Sequence, residues 1–454
     1  MSGRVVVVGG GVAGITAALD CAEAGADVTL VEVRRRLGGA AYSVQRDGLE
    51  MDNGQHVFLR GCEAYRGLLA RLGSEALVRV QPRLEIPVYK PGRRPFMLRR
   101  SRLPAPLHLT AALARYPHLS PLERLAAGRA ALGLMRIGDD EVRRDAETLG
   151  SWLRRHGQSE RSIAALWDLI ALPTLNLPAA QASLALGVFV FQQGLLTSAD
   201  AGDIGFHDGT LSQILAVPAA AALERAGVDV ELGWRAERIE NPAPARFEVQ
   251  GGAGGFEADA VVVALPHARA ATLLEPRLGA QAGAWRGLGA SPIVNLHVVF
   301  DREVTEHPFA AGVGTPVQYL FDRTSAAGAP PGSQYLAISL SGAEHEMGTS
   351  VDALRARYEP ALRELLPRAR QARIEAFLVT REHAATFRAA PGIGALRPAA
   401  GTAVPGLALA GTWTQTGWPA TLEGAVLSGH DAAREVLRGL GAATSAERAG
   451  STSP

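Results

Sequence analysis

Apolar positions along the chain change their period several times, and each change predicts an element. Val5 to Val8 is an unbroken valine run ending in glycine, the pattern of a short strand buried on both faces of a parallel sheet. Ile15-Thr16-Ala17-Ala18-Leu19 then opens a small-residue helix, and Asp27 to Glu32 reads as a second strand. Ala41 to Val44 and Leu49 to Asp52 predict a hairpin around Arg46-Asp47-Gly48, with a helix over Ala64 to Leu72. Prolines and arginines interrupt the pattern from Gln81 to Arg102, after which Leu122, Leu125, Leu132, Leu134 and Met135 recur at helical spacing. Leu184 to Leu196 is nearly free of charge, too short to span a bilayer, and suits either the wall of an apolar tunnel or a core helix. A helix over Leu211 to Ala226 and the strand Val228 to Leu232 restore the first pattern, and Phe256 to Pro266 predicts one further buried strand. Ser291 to Phe300, Gln334 to Ser341 and Ala372 to Thr380 read as strands of a second sheet, with an amphipathic helix over Val351 to Leu366.

The turn after the valines carries chemistry. Gly9, Gly11 and Gly14 have the G-x-G-x-x-G spacing between a strand and a helix. The first glycine permits the turn, the second lets a pyrophosphate approach the backbone, and the third lets helix pack on strand. The helix N-terminus, at Val12 and Ala13, offers unpaired amides to the phosphates. Glu32 ends the second strand eighteen residues after Gly14, where a carboxylate would accept the ribose hydroxyls.

The run Glu32-Val33-Arg34-Arg35-Arg36-Leu37-Gly38-Gly39 resembles the E-x-R-x-R-x-G-G segment of the flavin-dependent amine oxidase and phytoene desaturase superfamily. The resemblance implies that Gly38 and Gly39 bring the chain back across FAD. It also makes Val33, Arg34 and Arg36 nucleotide contacts, with Arg36 near the phosphates, and leaves Arg35 a solvated arginine. Asp52-Asn53-Gly54-Gln55-His56-Val57 and the segment Leu175-Asn176-Leu177-Pro178, continuing to Ala182-Ser183, are similar to the squalene-associated branch, the hydroxysqualene dehydroxylases. So is Thr416-Gly417-Trp418-Pro419-Ala420-Thr421-Leu422-Glu423-Gly424-Ala425, which follows the strand ending at Gly411. By that likeness Gly54, Gln55 and His56 face the isoalloxazine. Ala236 lies against the adenine, and Gly411, Thr412, Thr421, Leu422 and Ala425 hold the flavin end. His56 as a satisfied core histidine is the plain alternative. The chain departs from the superfamily at Ala40, where arginine is usual, and at Thr412, where aspartate is usual, so one charge-assisted hydrogen bond to the ribitol is missing. FAD is therefore expected, bound non-covalently, and no metal.

Composition adds limits. A net charge of +1 with 20% charged residues gives no basic field, so nucleic acid is not implied. Two cysteines cannot make a disulfide framework and fit a reducing cytosol. No secretory leader pattern and no membrane-spanning run is evident, so a cytoplasmic location is expected. The arginines at 93, 94, 99, 100 and 102, interleaved with Phe96, Met97 and Leu98, suit peripheral contact with the inner face of an anionic membrane; a solvated loop is the alternative.

The expected fold is α/β: a Rossmann-like FAD domain from 1–80, 201–270 and 396–440, a helical cap over 81–200, a substrate sheet over 271–395, and a disordered tail over 441–454. The resemblance implies an FAD-dependent oxidoreductase that reductively removes the hydroxyl of hydroxysqualene, served by an electron donor that the sequence does not identify. His56 is the candidate general acid with Gln55 beside it, and Trp413 and Trp418 are candidate aromatic faces for an allylic cation. A carotenoid-type desaturase is the alternative enzyme. A flavin-free isoprenoid carrier, like the Rab GDP-dissociation inhibitors, is the alternative from another class.

Overall fold

The computed structural model describes residues 3–140, 145–243, 246–252 and 254–450. Its nucleotide-binding layer is a five-stranded parallel sheet in the order Asp229–Leu232, Asp27–Glu32, Arg4–Val8, Ala260–Val263 and Leu407–Leu409. Val5 to Val8 and Ala260 to Val263 are buried throughout, which is why both read as continuous apolar runs. The helix Val12–Glu23 follows the first strand, and the C-terminal helix Leu422–Gly450 packs on it. That approach depends on Gly429, where a Cβ would fall 2.5 Å from the Ala13 carbonyl oxygen. The architecture is the expected Rossmann-like α/β fold joined to a mixed sheet and helices.

The second sheet has seven strands, in the order Ile374–Thr386, Ser291–Phe300, Gln334–Ser341, Tyr319–Asp322, Phe309–Gly312, Glu85–Tyr89 and Phe96–Arg99. Its last two strands fall in the proline- and arginine-interrupted start of the expected helical cap over 81–200 and correct that reading there. Ile86 and Val88 face the core, and the pairing with Phe309–Gly312 uses only Val88 and Tyr89, so Pro87 has no amide to supply there. Beyond this hairpin the segment is helical as expected. Its main helices are Pro121–Leu134, closed at its start by a Ser120–Glu123 capping box, and Leu184–Phe191, which continues as a wider π-type turn to Leu196.

Two further expectations change. Phe256 to Pro266 is not one strand. Gly254–Ala258 ends an antiparallel meander with Ala236–Ala243 and Arg246–Gly251, and only Ala260–Val263 enters the parallel sheet. Between them Asp259 takes the Arg4 amide on its carboxylate at 2.8 Å, a polar break in the apolar run. The C-terminal helix runs on to Gly450, so 441–450 extend it instead of forming a disordered tail; this stretch is rich in alanine, the strongest helix former. Residues 451–454 lie outside the described residues.

Candidate functional site

The glycine turn is built as its spacing requires. Gly9 has φ +114°, and a Cβ on Gly14 would sit 1.9 Å from the Gly9 carbonyl oxygen, so neither position admits a side chain. Gly11 differs. A Cβ there would meet nothing closer than Gly39 Cα at 3.7 Å, so the space above it is open. No side chain caps the helix that starts at Val12, and its first amides are left for an outside acceptor. The Gly38 amide donates to the Gly10 carbonyl at 2.9 Å, which lays the second glycine pair over the first.

Glu32 is 7% exposed; its Oε2 accepts from the Gly10 amide at 2.7 Å and its Oε1 from the Arg34 amide at 2.8 Å. Each oxygen keeps lone-pair capacity for a hydroxyl donor. Arg36 stacks on the Tyr42 ring, 3.7 Å from its centroid, and its Nη1 donates to the Leu37 and Gly39 carbonyls. Its Nη2 is buried with no partner, and burial holds the guanidinium below its ordinary pKa. An open cradle, free helix amides and an orphaned buried cationic donor together fit a pyrophosphate. Ala236 lies two residues after Trp234, whose amide donates to the Glu32 carbonyl at 2.9 Å. Val33 and Arg34 lie at the exposed rim of this cleft, as does Arg35.

The second part of the site, where the sequence places the flavin, forms where two loops meet. Asn53 is fixed by hydrogen bonds from its Nδ2 to the Ala40 carbonyl (2.9 Å) and Glu382 Oε1 (3.0 Å), and its carbonyl accepts from Asn295 Nδ2 at 2.8 Å. Gly54, Gln55 and His56 follow. Gln55 Nε2 and Asn295 Oδ1 are buried without partners, two more polar atoms that suit a ring edge bearing donors and acceptors. Thr421 caps the C-terminal helix through its Oγ1, which accepts from the Gly424 amide at 3.1 Å. Ser428 Oγ, about two turns later, accepts from the Gly411 amide at 2.8 Å. Arg397, buried and lowered to about 10 by burial, donates to the carbonyls of Thr412 and Thr414 and so clamps the loop between them. No motif announced this arginine.

Both loops face one cavity of about 1200 Å³, larger than ordinary ligand pockets of ~300–1,000 Å³. Gly54, Gln55, His56, Trp418, Thr421 and Leu422 line one end of it. Its walls come from the helical segment and the second sheet, including Leu113, Ile170, Phe189, Phe309 and Phe321. Leu184–Leu196 supplies part of that wall, through Phe189 to Leu196, as well as core contacts. Trp418 stands edge-on to Phe189 at 5.0 Å. Trp413 does not belong with it. Its Nε1 donates to the Leu265 carbonyl at 2.9 Å, its ring packs on Trp285, and a Cβ on Gly411 would lie 2.5 Å from it. The tryptophan is core beneath the loop, because the backbone at Gly411 (φ +139°) turns it inward.

His56 is half-buried on the cavity wall, and burial lowers it to about 4. Its carbonyl accepts from His207 Nδ1 (2.7 Å) while His207 Nε2 accepts from the Tyr65 hydroxyl (2.8 Å), so the second imidazole is a fixed support. A neutral His56 is a weak proton donor at pH 7, which counts against its reading as general acid. Glu382, on the strand Ile374–Thr386, is the carboxyl that sequence reasoning missed. It lines the cavity, and both Tyr42 Oη (2.7 Å) and Asn53 Nδ2 donate to its Oε1. Of the expected basic cluster, Arg99 is paired with Glu85 and Arg100 with Asp203, which leaves Arg93, Arg94 and Arg102 exposed. Among the described residues there is no cluster of His, Cys, Asp and Glu able to hold a metal, and no helix long and apolar enough to cross a membrane.

Comparison with known proteins agrees with this geometry. The family described as flavin containing amine oxidoreductase matches residues 12–437. The hydroxysqualene dehydroxylase of Rhodopseudomonas palustris is 29% identical over 96% of this chain and 99% of its own, and that of Sinorhizobium fredii 28% over 95% and 98%. The 15-cis-phytoene desaturase of Synechococcus elongatus is 25% identical over 96% of both chains. Among solved structures, wild-type putrescine oxidase bound to putrescine superposes with a TM-score of 0.73, at 16% identity, over 96% of this chain and 99% of its own. The protein is an FAD-dependent oxidoreductase, and the chain belongs to the flavin-containing amine oxidoreductase family.

Proposed function

We propose that this oxidoreductase removes the hydroxyl of hydroxysqualene reductively, giving squalene. The observation that carries the reading is the cavity. It runs from Gly54, His56 and Thr421 to Leu107, Leu125 and Leu132, and most of its lining is apolar. Such a chamber takes a long hydrocarbon and shields a cation from water. Bound FAD, once reduced, supplies hydride to the carbon that loses oxygen. The chain's own part is to hold the nucleotide through the 9–14 turn, Glu32 and Arg36. It also orients the ring between Gly54 and the Thr421 helix start, and keeps the substrate dry.

The far end of the cavity suggests how such a substrate arrives. Leu107, Leu125 and Leu132 line it yet are 52%, 54% and 47% exposed, with Leu122 at 80% on the same helix as Leu125. Exposed Arg94, Arg102, Arg115 and Arg129 belong to the same segment. A leucine rim with arginines suits an anionic bilayer. Peripheral docking there is part of the proposal.

Anaerobic reduction of the FAD-loaded protein followed by hydroxysqualene tests the reaction. Return of the oxidised flavin spectrum with formation of squalene supports it. Reduced flavin that persists, with desaturation of a polyene by the oxidised enzyme, would replace it with the desaturase reading that the phytoene desaturase likeness favours.

A further inference from the structure

The cavity wall holds few groups able to move a proton, and nearly all are spoken for. The Tyr116 hydroxyl donates to the Ala165 carbonyl, and that of Tyr319 donates to the Leu169 carbonyl. Both oxygens of Glu423 take backbone amides, those of Ala64 and Tyr65, and so cap another helix. His56 is neutral. Glu382 remains. Its strand is in register with the neighbouring one at Ile293, itself a lining residue, and it is joined to Asn53, the residue before Gly54. Two donors converge on its Oε1, whereas Oε2 accepts no hydrogen bond from the described residues. Oε2 is therefore the oxygen left open to the cavity, and the side chain is held in place from behind.

We infer that Glu382 is a catalytic carboxyl: its Oε2 gives the proton on which the substrate hydroxyl departs, and the resulting carboxylate then faces the cation. The inference rests on the dehydroxylase reading. In the balanced step the C–O bond breaks, and its electron pair leaves with the oxygen, which takes the Glu382 proton to become water. The carbon receives hydride from the reduced flavin, which is thereby oxidised. The carboxylate regains its proton from solvent. Tyr42 and Asn53 are positioning residues for this group, and Tyr42 also carries Arg36 on its ring.

The test uses FAD-loaded wild type and Glu382→Gln, a change of one atom. Its first readout is binding, not turnover. A tertiary amine bearing isoprenoid chains, protonated at neutral pH, mimics the cation, and the matching hydrocarbon is its neutral control. Affinity is followed by perturbation of the flavin spectrum. The amine should bind wild type about tenfold or more tighter than E382Q, with the hydrocarbon unchanged. Glu382→Asp, which keeps the charge, should retain part of that preference and covers the case in which E382Q does not fold. Squalene formation in single turnovers should fall about 10²–10⁴-fold in E382Q at unchanged flavin content. Equal amine affinity in wild type and E382Q, or wild-type turnover in E382Q, overturns the assignment. Charge-dependent amine binding in a protein that makes no squalene would instead overturn the dehydroxylase reading and leave Glu382 as a cation-facing carboxylate.

Discussion

The nucleotide cleft and the substrate cavity are built on opposite principles. The cleft is made of backbone: Gly9 and Gly14 without room for a Cβ, an open space over Gly11, free helix amides, and a carboxylate and a guanidinium at fixed places. The cavity is made of side chains from distant segments, most of them interchangeable hydrocarbon. A backbone site tolerates little substitution, because a side chain there either strains the turn or fills the space left for the ligand. A side-chain cavity tolerates many and changes what it accepts. One fold can thus keep a cofactor while its relatives act on different molecules.

The sharpest way to break that contrast is inside the cleft itself. Gly14→Ala places a methyl 1.9 Å from the Gly9 oxygen and should cost several kcal/mol, seen as a large drop in melting temperature with no bound flavin. Gly11→Ala has open space and should fold normally, yet lose flavin absorbance because the methyl occupies the cradle. If both variants behaved alike, the cradle would not be where the phosphates lie. Arg36→Met comes next. Loss of one charge-assisted hydrogen bond, worth about 1.5–3 kcal/mol, should weaken FAD binding roughly 10–150-fold by titration of the apoprotein, with little change in stability.

A smaller effect comes from the histidines. His207 and His297 are 4% and 0% exposed, and burial lowers them from 6.5 to about 3 and about 4. Above pH 6.5 both states hold these rings neutral and stability is full. Between 6.5 and about 4 the unfolded chain takes up protons that the fold refuses, so stability falls as pH falls, by up to about 1.4 kcal/mol per pH unit for each ring. Melting curves across that window should show the slope, and His297→Asn should reduce it. On the cavity side, Leu125→Glu should lower co-sedimentation with anionic vesicles severalfold while flavin content stays unchanged, since Leu125 reaches only the outer rim.

The same contrast explains what the sequence made legible. Gly9 to Gly39 act within one strand–helix–strand unit and the turn that follows it, so their spacing carries the geometry. Leu422 to Ala425 are equally local. Glu382 could not be found this way. Its strand reads as ending at Thr380, because the residues after it, Arg381, Glu382 and His383, are polar. The strand continues to Thr386 as an edge, paired on one side only, where polar residues are at home. The contact with Asn53 spans 329 positions. Trp413 and Trp418 look equivalent in the chain, and only the turn at Gly411 sends one to the core. Pro87 hid a strand that its neighbours Ile86 and Val88 support.

The parallel sheet draws its strands from both ends of the chain, with Leu407–Leu409 on one edge and Ser428 and Gly429 closing the site from the last helix. During synthesis the glycine turn leaves the ribosome early, but its partners are hundreds of codons away. At ~5–20 residues per second the gap between Gly39 and Gly429 amounts to roughly 20–80 s. For most of that interval the sheet lacks its edge strand Leu407–Leu409, and throughout it the site lacks the last helix. The cofactor site is therefore complete only once the final helix has been translated.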